Sequence, residues 1–100
     1  MVSGCQSSGV LAVGSSTTVV KGTTKLVSIH AANGTGSGNM TVNVYDNTAA
    51  SASPPANRQV AQLVIAADSS LEYDMHGVMC RNGIHVTVTG GTGNVTIEYA

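Results

Sequence analysis

Between Asn82 and Ala100 apolar and polar residues alternate in two successive runs. Ile84, Val86 and Val88 are separated by His85 and Thr87, and after Gly90-Gly91-Thr92-Gly93-Asn94 the residues Val95, Ile97 and Tyr99 are separated by Thr96 and Glu98. A period of two places one set on a buried sheet face and the other on a polar face, as a half-buried β-strand requires. The glycine- and asparagine-rich turn supplies the positive φ angles that tight connections use. The segment therefore predicts a β-hairpin with Val86, Val88, Val95 and Ile97 on one buried face and His85, Thr87, Thr89, Thr96 and Glu98 on the other.

The same grammar runs through the rest of the chain. Residues 1–9 are small and polar and predict a flexible or docked arm, with residues 10–100 forming a single domain. Short strands are expected at Val10 to Val13 and Thr17 to Val20. In Thr24 to Ala31 the pattern puts Val27, Ile29 and Ala31 on one face and Leu26, Ser28 and His30 on the other. Three alternate glycines make 33–39 a loop. Met40 to Asp46 turns Met40, Val42 and Val44 inward and Thr41, Asn43 and Tyr45 outward. The irregular stretch 47–57 contains Pro54 and Pro55 and predicts a contact-bearing surface excursion. Gln59 to Ile65 alternates again, and 66–70 turns the chain. Leu71, Tyr73 and Met75 then share a face opposite Glu72, Asp74 and His76, until Gly77 breaks the strand before Val78-Met79-Cys80.

The outcome is an all-β chain of about seven to eight short antiparallel strands, a small β-sandwich or jelly roll. Its expected core is Val27, Ile29, Val42, Val44, Leu63, Ile65, Leu71, Val86, Val88, Val95 and Ile97.

Composition sharpens that picture. The chain has no Phe or Trp, and its aromatics are Tyr45, Tyr73 and Tyr99, so the core is aliphatic and each buried side chain contributes less area than an aromatic would. A small domain with such a core gains from association with copies of itself or with a partner. Only 9% of residues are charged, against about 25% in an ordinary globular chain, which makes the surface largely Ser, Thr, Asn, Gln and Gly. Interface cores are depleted in the same way. Four scattered basic residues do not predict nucleic-acid binding. No apolar run is long enough to predict a membrane span, and the first residues lack the features of a secretory signal, so synthesis in the cytoplasm is expected. Cys5 and Cys80 are compatible with one bridge or with two free thiols, the latter being favoured in a reducing compartment.

Candidate chemistry is sparse. His30, His76 and His85 lack the close spacing that announces a zinc site. Glu72 and Asp74 share a strand face, yet no aromatic platform of a sugar-cleaving site accompanies them, and no Asp/Asn-rich calcium loop occurs. No serine sits in a Gly-x-Ser-x-Gly elbow, and Gly34, Gly36 and Gly38 are not followed by a helix that would cradle phosphate. Asn33, Asn39 and Asn94 each begin a glycosylation sequon, a match that a chain rich in Asn and Thr produces by chance. No enzymatic activity, cofactor or metal is expected.

With its strands placed, the chain resembles small virion structural proteins of tailed bacteriophages, those that decorate or cement capsids or join heads to tails. The resemblance rests on Lys25-Leu26-Val27-Ser28-Ile29-His30-Ala31-Ala32-Asn33, on Val42-Asn43-Val44-Tyr45-Asp46-Asn47-Thr48-Ala49, and on Asn82-Gly83-Ile84-His85-Val86-Thr87-Val88-Thr89-Gly90-Gly91-Thr92. It implies a non-enzymatic subunit of the virion, assembled in the host cytoplasm. Its partners would be the major capsid protein, other virion proteins, and copies of itself as a dimer or trimer. Val2, Cys5, Tyr45, Pro54, Pro55 and Arg58 are the candidate interface residues, although Pro54, Pro55 and the cysteine-bearing arm fall outside the resemblance. A neck, tail or fibre component is the alternative. A carbohydrate- or cell-surface-binding sandwich is a further one, for which Tyr45 is the obvious aromatic platform.

Overall fold

A computed structural model describes residues 5–34, 38–47 and 58–100. Its strands are β1 (Gln6–Ser7), β2 (Leu11–Ala12), β3 (Ser16–Lys21), β4 (Thr24–Ala32), β5 (Met40–Tyr45), β6 (Gln59–Ile65), β7 (Ser70–Cys80), β8 (Gly83–Thr89) and β9 (Asn94–Tyr99). They form two antiparallel sheets. One has the order β1-β9-β4-β7 with β2 also paired to β9, and the other has the order β3-β8-β5-β6. The fold is a β-sandwich, with nine described strands where about seven to eight are expected from pattern.

The two sheets meet through aliphatic side chains. Leu26, Ile29, Met40, Val42, Val44, Ile84, Val86, Val88 and Ile97 are fully buried, and Leu11, Ala31, Leu63, Ile65, Cys80 and Val95 join them. Ile29, Val42, Val44, Leu63, Ile65, Val86, Val88, Val95 and Ile97 thus lie where alternation puts them. Two expected core residues do not. Val27 is only half-buried and Leu26 takes its place, because the pairing of β4 with β9 shifts by one residue between Leu26 and Ser28. That bulge at Val27 reverses the phase of the alternation, so Leu26 points inward before it and Ile29 and Ala31 after it. Leu71 is exposed, because β7 is the outermost strand of its sheet.

The largest departure concerns the last two strands. β8 pairs with β3 and β5, whereas β9 pairs with β4, β1 and β2. They are not a hairpin. The 90–93 turn carries the chain from one sheet to the other, so Val86 and Val88 belong to one layer and Val95 and Ile97 to the other. From β2 onward every connection except β5 to β6 changes sheet in this way.

Asn33 fastens one end of the sandwich. Its Nδ2 donates to the carbonyls of Gly38 at 2.8 Å and Ile65 at 2.9 Å, and its Oδ1 accepts from the Thr92 N–H at 3.1 Å. One buried amide thereby joins the β4–β5 and β8–β9 connections to the end of β6. The glycines there serve close approach as well as φ. A Cβ on Gly91 would overlap Asn33 Oδ1, and one on Gly93 would overlap the Ala32 carbonyl. At the other end Asp46 accepts from the N–H groups of Arg81 and Asn82, at 3.1 and 2.7 Å, and so holds the β7–β8 connection.

Residues 5–9, expected as part of an arm, run along β9: Gln6 pairs with Tyr99 and Ser7 with Glu98, and the Ser8 N–H reaches the Ile97 carbonyl at 2.8 Å. β7 continues through Gly77, where a break is expected. Its irregularity there is a bulge in which His76 and Gly77 both have positive φ.

Candidate functional site

Polar side chains converge on the outer face of the β9-β4-β7 sheet. His30 on β4 lies opposite Glu72 of β7 on one side and Thr96 of β9 on the other, and Ser28 lies opposite Asp74 and Glu98. The His30 Nδ1 is 3.0 Å from Glu72 Oε2, and its Nε2 is 3.0 Å from Glu98 Oε1. Ser28 donates its hydroxyl to the same Glu98 oxygen and lies 3.1 Å from His30 Nε2. The Ser28 hydrogen bond, followed by that of His30, holds the Glu98 carboxyl below its usual range. A neutral imidazole can donate to only one of these carboxylates, whereas the imidazolium donates to both. By contact alone, His30 joins β4 to a carboxylate on each neighbouring strand, a clasp across three strands.

Two shallow depressions flank it. One, of about 320 Å³, is lined by His30, Ala32, Ser70, Glu72, Asn94 and Thr96 among others. The other, of about 230 Å³, is lined by Val27, Ser28, His30, Glu72, Asp74 and Glu98.

Ser28, His30 and Glu72 stand at the distances of a nucleophile, a base and an orienting carboxylate. Two features oppose that use. The Ser28 proton is committed to Glu98, and the residue is only 8% exposed. β4 is also paired on both edges, so its backbone N–H groups are drawn into ladders instead of a pocket for an oxyanion. The two carboxylates occupy opposite ring nitrogens of His30 and do not converge on one point. Among the described residues no cluster of His, Cys, Asp or Glu is placed to hold a metal ion.

His85 and Tyr45 point outward as alternation requires but are buried there, although alternation assigns His85 to the polar face and makes Tyr45 an outward aromatic platform. The reason is strand position. β8 is internal, and Ser16 and Thr18 on β3 contact the imidazole at 2.9 Å each, at Nε2 and Nδ1. The Tyr45 ring lies 6.5 Å away, tilted by 57°. Desolvation lowers the His85 pKa. His76 is exposed, with its backbone N–H bonded to Asp74 Oδ1 at 2.8 Å.

Cys5 is half-buried, Cys80 is buried, and both are free thiols. Arg58 is exposed. Val2, Pro54 and Pro55 lie outside the described residues. Asn33, the first sequon asparagine, is buried with its side-chain amide engaged on both sides, a poor glycosylation acceptor.

The sequence pattern places His30, Glu72 and Glu98 on outward positions, but not beside one another. Their convergence depends on the strand order β9-β4-β7, which alternation does not encode. Compared with family models, curated proteins and solved structures, the chain matches none.

Proposed function

We propose that the protein is a non-enzymatic structural subunit of a virus particle. In this reading it is a capsid decoration or cement protein of the tailed-phage type, made in the host cytoplasm and carried on the virion against the major capsid protein. The observation that supports it is the surface of β7. In a chain with very few charges, this edge strand exposes Leu71, Tyr73, Val78 and Met79. Exposed apolar side chains along a strand edge left unpaired among the described residues suit association with another subunit of an assembly, and natural proteins usually guard such edges. The polar cluster around His30 favours the same side, since it ties strands together and provides no oxyanion site.

The carbohydrate-binding alternative draws no support from Tyr45, whose ring is packed beside His85. A neck or tail location uses the same surface chemistry and differs in stoichiometry. Particles purified from the biological source of the chain and quantified by mass spectrometry test the reading. A copy number matching the shell lattice is the expected result, and that of one ring or vertex indicates a neck or tail component. Absence from particles overturns the proposal.

A further inference from the structure

The geometry points to a second copy of this chain as the occupant of the β7 edge, paired antiparallel about a two-fold axis so that the two β9-β4-β7 sheets become one. The inference deepens the assembly reading and rests on it for its biological role. Four of the six exposed large apolar side chains among the described residues, Leu71, Tyr73, Val78 and Met79, lie on β7. β6, an edge of the other sheet, exposes only Val64 among such residues.

Charge selects the orientation. Asp68, Glu72 and Asp74 lie at or near the start of β7, while Lys25 and Arg81 flank its second half and outnumber the one carboxylate there, Asp46. Lys25 pairs with Met79, and its side chain passes beside Gly77, 3.7 Å from where a Cβ would stand. Parallel association would set like charges together. An antiparallel two-fold brings the acidic half of each copy to the basic half of the other, twice, which is the self-complementarity an isologous interface requires.

The bulge selects the register. Its residues 75–77 interrupt the strand, so the straight segments 70–74 and 78–80 can pair only with each other if both bulges meet at the axis. Leu71, Tyr73 and Val78 lie opposite the buried Ala31, Ile29 and Leu26 and so share the core-side face. Matching faces across the axis sets Tyr73 beside Val78 of the second copy and Glu72 beside its Met79. Asp74 then approaches the second copy's Gly77, over which its Lys25 lies. A bulge and charges that deter indiscriminate edge pairing leave this arrangement open.

Sedimentation of the full chain across a concentration series tests the proposal, with circular dichroism confirming that each variant is folded. The wild type is expected to be a reversible dimer. Tyr73→Lys should weaken it at least tenfold without unfolding the monomer. Lys25→Glu should weaken it at low salt, with the difference from wild type disappearing near 1 M salt, where the screening length is about 3 Å. A spin label at Ser70→Cys in a Cys5→Ser background gives the direction of pairing. With the bulge shortening β7 by about two steps, antiparallel pairing separates the two labelled backbones by about 30 Å at roughly 3.3 Å per residue, and parallel pairing brings them to about 5 Å. A monomer at every concentration, a dimer indifferent to Tyr73→Lys, or a short label distance overturns the interface. If such a chain is nonetheless present on particles, the assembly reading stands while the dimer fails; a dimer absent from particles gives the reverse.

Discussion

Asn33→Ala tests whether the sheet-changing connections are held by a single amide. The residue is 7% exposed, and its side chain makes three hydrogen bonds, two donated to the carbonyls of Gly38 and Ile65 and one accepted from the Thr92 N–H. Each such bond contributes roughly 1 kcal/mol net, and a buried partner left without water costs about 1 to 3 kcal/mol. The Ile65 bond is buried and the other two are partly so, which lets water repair some of the loss. The expected cost is about 3 to 5 kcal/mol. That is a large part of the roughly 5 to 15 kcal/mol that holds a domain together. For a chain of this length it corresponds to a fall of about 15 to 25 °C in melting temperature.

Urea titration read by circular dichroism, at constant slope, measures it. Asn33→Asp separates the bonds: it keeps the acceptor for Thr92 but turns a carboxylate oxygen toward two carbonyls. The ionised form is disfavoured in the folded state, raising that carboxyl's pKa. This variant should therefore be more stable at low pH and lose stability as pH rises through the raised value. A cost below about 1 kcal/mol for Asn33→Ala, no more than one ordinary hydrogen bond, would refute the reasoning.

Val86→Asp places a carboxylate on an internal strand, between Thr17 and Val44 and at a fully buried position; it should cost several kcal/mol, and a well-folded mutant by circular dichroism would disprove the assigned core face. Burial holds the His85 pKa below 6.5, so the unfolded chain takes up the proton first and stability should begin to fall as pH drops below about 6.5. Glu98, held below 4.5, adds a later loss as pH falls through its folded value; melting temperature against pH should show both limbs, with His85→Gln removing the first. Burial, followed by the charge of Asp46, pushes the Cys80 thiol up to about 11, so alkylation at neutral pH should modify Cys5 readily and reach Cys80 only on unfolding, as peptide mass spectrometry would report.

The sequence by itself determined the class of fold and most side-chain directions. β6 spans Gln59–Ile65 as its pattern predicts, and β5, β8 and β9 turn their valines and isoleucines inward, because a period of two is a local property that any pleated strand obeys. Where backbone irregularity changes the phase, as at Val27, the pattern pointed to the wrong residue, since a bulge depends on the neighbouring strand as much as on its own sequence.

Pairing was decided by the tertiary structure. The 90–93 segment has the composition of a hairpin turn, yet it links the two sheets. Its glycines are needed as much for their close approach to Asn33 and Ala32 as for their φ angles, and no local signal distinguishes those uses. Strand order likewise decided burial on the outer faces. His85 and Tyr45 are covered because neighbours flank them on internal strands, whereas Leu71, on an edge with a single neighbour, stays exposed despite its apolar side chain. The His30 clasp belongs with these, for Glu72 and Glu98 lie far from it in sequence and meet it only because β4 runs between β7 and β9. Alternation records which side of a sheet a residue occupies; which strands stand beside it is settled by the burial of the whole core, a sum over contacts distant in the chain.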